Sequence, residues 1–147
     1  MARILFDLPD AFEFSTRIPL RIQDLNYGGH MGNDAVLSIL HEARMQYLAA
    51  KGLSELDAAG VSLIMADAGI IYKGEGFWGD LMDVEVQAFD YSTRGFDLAY
   101  RISCLRSTKK HDIAVAKTAM LCFDYQTRKV VSMPLPLKEK LQSPLES

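Results

Sequence analysis

Between residues 21 and 34 the chain reads RIQDLNYGGHMGND, which sets Asp24, Asn26, His30 and Asp34 among three glycines. These residue types can take up a proton, hold a water, and leave backbone amides open to a ligand. If the segment is extended, Asp24 and Asn26 project to the same side. Asp24 reads as a base or as a carboxylate that bonds the turn's amides or Arg21. His30 reads as a base, as a group that orients water, or as an ordinary hydrogen-bonding loop residue. Glu42 follows Asp34 and Ser38 at i, i+4, i+8, so the three share one helical stripe. That stripe is a solvated face or ion pair, or it offers a carboxylate to a cleft. Asp67 lies inside the apolar run IMADAGI. It needs a partner there if it lines a cleft between subunits, and none if it points to solvent at a sheet end.

Other chemistries are missing their signatures. There is no Gly-x-Ser-x-Gly, no dinucleotide or P-loop glycine pattern and no metal-ligand spacing, and His30, His41 and His111 are scattered. A net charge of -3 does not suit a nucleic-acid partner. The small basic spots, Arg101/Arg106, Lys109-Lys110 and Arg128-Lys129, suit strand ends or a few phosphates of a small ligand. Cys104 and Cys122 each sit in an apolar strand-like run and read as buried free thiols of a reducing compartment. No apolar run approaches the length of a bilayer span, and MARILFDLPD lacks the apolar core and cleavage site of a signal peptide. A cytoplasmic protein of one domain, residues 1–147, is expected, with its core at about 12–131 and a tail at 132–147.

Positioning these residues requires a particular order of elements. FEFSTRIPLRI (12–22) predicts a first strand, placed at an edge or bulged by Pro19. NDAVLSILHEARMQYLAAKG predicts a helix of about 18 residues. Asn33 is its expected N-cap, Asp34 suits the positive end of its dipole, and Gly52 with Leu53 closes it. SELDAAG (54–60) predicts one short helical turn. Four period-two stretches then predict four strands, with Thr93-Arg94-Gly95 short enough for a hairpin. The last of these, DIAVAKTAMLCFDY, is apolar on both faces and belongs near the sheet centre. TRKVVSMPLPLKEKLQS predicts a turn, a short extended piece and one terminal helical turn. The layout is α+β: a long central helix wrapped by a curved five-stranded antiparallel sheet, with edges that dimerisation would cover.

This order, with RIQDLNYGGHMGN (21–33), HEAR (41–44) and WGDLMDVEV (78–86), resembles the hotdog-fold acyl thioesterases of the 4-hydroxybenzoyl-CoA thioesterase type. The family pattern is roughly Arg-x-x-Asp-x-Asp-x-x-Gly-His-Val-Asn-Asn, a helix with Glu-Ala-Arg, and Gly-Asp before the third strand. The resemblance implies hydrolysis of an acyl-CoA or acyl-carrier-protein thioester, without metal or cofactor, at a cleft of a homodimer or tetramer. It places Asp24, Asn26, His30 and Glu42 as catalytic candidates, and Tyr27, Gly29, Asp67, Lys73 and Glu75 as substrate-binding ones. The amides of Gly29–Asn33 would polarise the thioester carbonyl. Many members carry their catalytic carboxylate at the second Asp of Asp-x-Asp, which here is Asn26. An amide cannot accept the proton, so the base is sought elsewhere. Related acyl-carrier-protein thioesterases use a His where His30 stands and a Glu where YKGE places Glu75.

Two other readings fit the same residues. Enoyl-thioester hydratases of this fold carry Asp-x-Asn-Pro-x-His, which DLNYGGH matches in order, without the proline and with His one residue late. A non-catalytic acyl-binding or assembly module would also tolerate Asn26.

Overall fold

The computed structural model describes residues 3–145. The N-terminal and tail readings therefore fall outside the described residues at positions 1–2 and 146–147. The order is β1 (Phe14–Pro19), a 3-10 turn (Ile22–Asp24), α1 (Asn33–Ala50), β2 (Ser62–Tyr72), β3 (Leu81–Phe89), β4 (Gly95–Arg106), β5 (Lys109–Asp124), β6 (Lys129–Val130) and α2 (Leu135–Gln142).

The strands form one antiparallel sheet in the order β1-β3-β4-β5-β2, with β6 paired to β5. Six strands and two helices are thus present among the described residues, where five strands and one long helix were expected. The sixth strand pairs only Phe123 with Val130 and Asp124 with Lys129. β1 is an edge strand ending at Pro19, a residue without an N–H for the ladder. β5 lies between β4 and β2, so it is screened on both sides.

α1 buries Ala35, Val36, Ile39, Leu40, Ala43, Arg44, Tyr47 and Leu48, the i, i+3, i+4 set of a single face. Val36, Leu40, Tyr47 and Leu48 have no exposed surface. The N-cap is Gly32 in extended conformation, not Asn33, which is the first helical residue, and no side chain caps the end. At the other end Gly52 takes φ +74°, which a side chain would strain. There the Gly52 N–H donates to the Ala49 carbonyl at 2.9 Å and the Leu53 N–H to the Leu48 carbonyl at 2.8 Å, closing the helix.

Residues 54–60 form no helical turn. The Ser54 hydroxyl accepts the Asp57 N–H at 3.0 Å, and the Asp57 carboxylate accepts the Gly60 N–H at 3.0 Å. These side chains offer the backbone an alternative to helical bonds. The terminal helix is longer than one turn because Leu137 and Leu141, spaced i, i+4, both bury. Its end is tied to α1 by Lys51, whose ammonium donates to Glu13 (2.6 Å), the Leu141 carbonyl (3.2 Å) and the Ser143 carbonyl (2.5 Å).

Candidate active site at the mouth of the long helix

The segment between the 3-10 turn and α1 is a compact loop held by its own polar groups. Asp24 is buried, 6% exposed, and its Oδ2 accepts the Arg21 N–H at 2.8 Å. Its carbonyl accepts the Gly32 N–H at 3.0 Å. Asp24 therefore closes the turn before α1. Asn26 closes the loop itself: Oδ1 accepts the Gly28 N–H at 2.9 Å and the His30 N–H at 3.5 Å. Its backbone N–H donates to the His30 carbonyl at 2.8 Å. The Asn26 Nδ2 group has no partner among the described residues, so it remains a donor on an exposed side chain.

Gly29 takes φ +83°, with open space where a side chain would stand. The turn thus requires glycine for its backbone. Tyr27 extends fully into solvent. The expected row of free amides narrows sharply. Gly29 N–H donates to the Asn26 carbonyl and Met31 N–H to the Gly76 carbonyl, while Gly32 N–H is held by Asp24. The Asn33 N–H, at the positive end of α1, is left without a partner among the described residues. Beside it, the Tyr72 hydroxyl from β2 donates to the Asn33 carbonyl at 3.1 Å.

His30 meets Glu75 across this mouth, with Nε2 to Oε1 at 3.9 Å. The approach is made by backbone pairing of His30 with Phe77, whose ring meets the imidazole edge-on at 6.4 Å. Both partners are accessible, with side-chain exposures of 36% and 63%. Lys73 is exposed nearby and its N–H donates to the Ile113 carbonyl at 2.8 Å.

Glu42 lies elsewhere. It lines a groove of about 390 Å³ between β1 and α1 with Asp24, Arg21, Ser38 and His41. There its Oε1 accepts from Gln46 Nε2 at 2.9 Å, and Gln46 in turn accepts from Thr16 on β1 at 2.5 Å. Asp67 is solvent-facing and paired, 3.0 Å from Lys117, at an irregularity in β2. Its carboxylate also accepts the Ala119 N–H at 3.1 Å. The structure brings His30 and Glu75 together beside Asn26 and Asn33, and keeps Glu42 and Asp67 apart from them.

Asp80, the Asp of the Gly-Asp motif, and Arg106, one of the small basic spots, meet in a pair that the sequence did not join. Asp80 Oδ2 accepts the Phe77 N–H at 2.8 Å and Arg106 Nη2 at 2.7 Å. Burial opposes the Asp80 charge, but Arg106, the Phe77 N–H and His111 together hold the carboxyl below its ordinary value. The β3–β4 register, Met82 opposite Cys104, is the signal that could have paired residues 80 and 106. Cys104 and Cys122 are buried free thiols, as expected, and burial pushes the Cys122 thiol up to about 11. No helix among the described residues is long and apolar enough to cross a membrane.

Comparison with known proteins shows the family of the chain. The profile of the thioesterase-like superfamily matches residues 20–141. A 1,4-dihydroxy-2-naphthoyl-CoA hydrolase of Synechococcus elongatus is 32% identical over 128 residues, covering 84% of this chain and 90% of that protein. The crystal structure of a 1,4-dihydroxy-2-naphthoyl-CoA thioesterase from Synechocystis superposes with a TM-score of 0.76 at 23% identity, covering 87% of this chain and 94% of that one. An asparagine-for-aspartate mutant of 4-hydroxybenzoyl-CoA thioesterase, complexed with 4-hydroxybenzoyl-CoA, gives 0.80 at 13% identity, covering 90% of this chain and 100% of that one. At these identities the structural likenesses establish the fold alone.

Proposed function

Because the chain belongs to the thioesterase-like superfamily and is, like its matched relatives, a thioester hydrolase, we propose that it cleaves an aromatic acyl-CoA at the mouth of α1 with His30 as the base. The observation that carries this reading is the His30–Glu75 pair at 3.9 Å, assembled beside a helix start whose first N–H is unbonded. His30 takes a proton from water, with Glu75 facing the imidazole. The hydroxide adds to the thioester carbon while the Asn33 N–H and Asn26 Nδ2 donate to the carbonyl oxygen. Collapse breaks the carbon–sulfur bond, the imidazolium returns its proton to the leaving thiolate, and the products are a carboxylic acid and free CoA. Tyr27, Gly29 and Lys73 flank the entry as substrate contacts, with Lys73 facing the phosphates.

The matched relatives point to 1,4-dihydroxy-2-naphthoyl-CoA as the first substrate to try, with acyl-carrier-protein thioesters as the comparison. Exposed Tyr72, whose hydroxyl bonds Asn33, and Phe77, beside His30, give an aromatic acyl group apolar surface at this mouth. Pairing of two chains along the free edge of β2 would cover that surface and let the sheet wrap α1 as the central helix of a cytoplasmic, metal-independent dimeric enzyme. Asp67 then lies along the joined edge rather than at the reacting carbonyl.

Hydrolysis of a thioester panel, followed by thiol release, tests the assignment. His30→Gln should lower kcat by about 10²–10⁴-fold, and Glu75→Gln should lower it less. Full activity in both variants would overturn the site. The β1–α1 groove supports a second reading in which Glu42 is the base. Loss of kcat in Glu42→Gln with His30→Gln silent would establish it. Loss of enoyl absorbance from crotonyl-CoA without thiol release would instead mark a hydratase, and binding without turnover an acyl-binding module.

A further inference from the structure

The loop from Gly74 to Asp80 carries both Glu75 and Phe77 to His30, yet it contains no regular structure of its own. Arg106, at the far end of β4, grips it at three points. Its Nη2 donates to the Glu75 carbonyl oxygen. Its Nε lies 3.2 Å and 3.0 Å from the two Asp80 carboxylate oxygens, and its Nη2 lies 2.7 Å from the second. Its guanidinium carbon sits 4.9 Å from the centre of the Phe77 ring. Asp80 completes the clamp by accepting the Phe77 N–H at 2.8 Å. We infer that Arg106, seated on Asp80, is a positioning residue that holds Glu75 and Phe77 against His30.

This inference rests on the reading of His30 and Glu75 as the working pair. A planar guanidinium supplies what the position needs: two parallel bonds to a carboxylate, a third to a carbonyl, and a face for an aromatic ring. A lysine can meet the carboxylate but not all three partners at once. The Arg106 side chain is 28% exposed and its Asp80 partner 12%, so the clamp is largely sheltered from solvent screening. Arg106 touches neither the water nor the carbonyl in the proposed reaction. Its effect must therefore pass through Glu75 and Phe77.

The test is a set of steady-state measurements on Arg106→Gln, Arg106→Lys, Glu75→Gln, His30→Gln and the double variant Arg106→Gln/Glu75→Gln, each checked for folding by thermal unfolding. Arg106→Gln should lower kcat on the order of 10- to 100-fold with KM unchanged. Arg106→Lys should recover part of that loss. In the Glu75→Gln background, Arg106→Gln should cost less than about threefold more, because coupled positions are not additive. A raised KM with kcat intact would mean that Arg106 binds substrate and would overturn the inference. Multiplicative losses in the double variant would overturn it too, as would a kcat loss that Arg106→Lys does not relieve. If His30→Gln and Glu75→Gln are themselves silent, the reading of the site fails first. If they are impaired and Arg106→Gln is not, the positioning role alone fails.

Discussion

Asn26 holds its loop with the carboxamide oxygen, and a carboxylate could make the same two contacts to the Gly28 and His30 N–H groups. Asn26→Asp should therefore fold as the parent does while placing a proton acceptor beside the reacting carbonyl. The change also removes the Nδ2 donor to the carbonyl oxygen, so kcat should fall below the parent's, while His30→Gln should cost less than about tenfold in that background. Thiol-release kinetics on the single and double variants check this. The Asp80 carboxyl makes a different prediction. Its folded-state value lies below the ordinary 3.8, so its contribution to stability is full above about that pH and is lost as pH falls through the folded value. Urea unfolding from pH 6 down to pH 3 should show a steeper acid decline in the parent than in Asp80→Asn. At this scale the sequence marked Asp24, Asn26 and His30 in one segment, which the structure folds as a compact loop before α1. Glu75 was suggested for His30 only by the resemblance and by no local pattern, because their meeting spans 45 positions and is set by loop pairing rather than spacing.

α1 was legible because its burial face and its stop signal agree. The i, i+3, i+4 apolar positions and the Gly52-Leu53 ending both specify the same boundary. Gly52→Ala should destabilise by about 1–2 kcal/mol, the usual cost of a left-handed conformation with a Cβ, as read by thermal or urea unfolding. The helix start was less legible: asparagine commonly caps, but here Asp24 fixes the Gly32 amide and Gly32 itself takes the extended cap conformation. The segment 54–60 misled for a related reason. Ser54 and Asp57 have the composition of a helix start, and their side chains instead close successive turns on the backbone.

For the whole molecule, β2 leaves one edge of the sheet unpaired in a single chain, with Met65, Ala66 and Ala68 exposed along it. Two chains joined there would form a continuous sheet, so the protein should sediment with the mass of two chains or a multiple. Met65→Lys should shift it toward the single chain and lower activity in parallel, measurable by sedimentation and thiol release on the same samples. The strand order was not written in any local pattern. Alternation marks the strands and their inward faces, but β2 pairs with β5 across the whole stretch of sequence that holds β3 and β4.

One contact also bears on how the chain is made. The Lys51 ammonium, with only 3% of its side chain exposed, finds two of its three acceptors at Leu141 and Ser143. Those residues leave the ribosome after every strand of the sheet. Until they arrive, the growing chain carries a lysine held by Glu13 alone, at a place that later becomes dry. Synthesis and closure are thereby coupled in time: the far end of the long helix is sealed only after the whole sheet has been made.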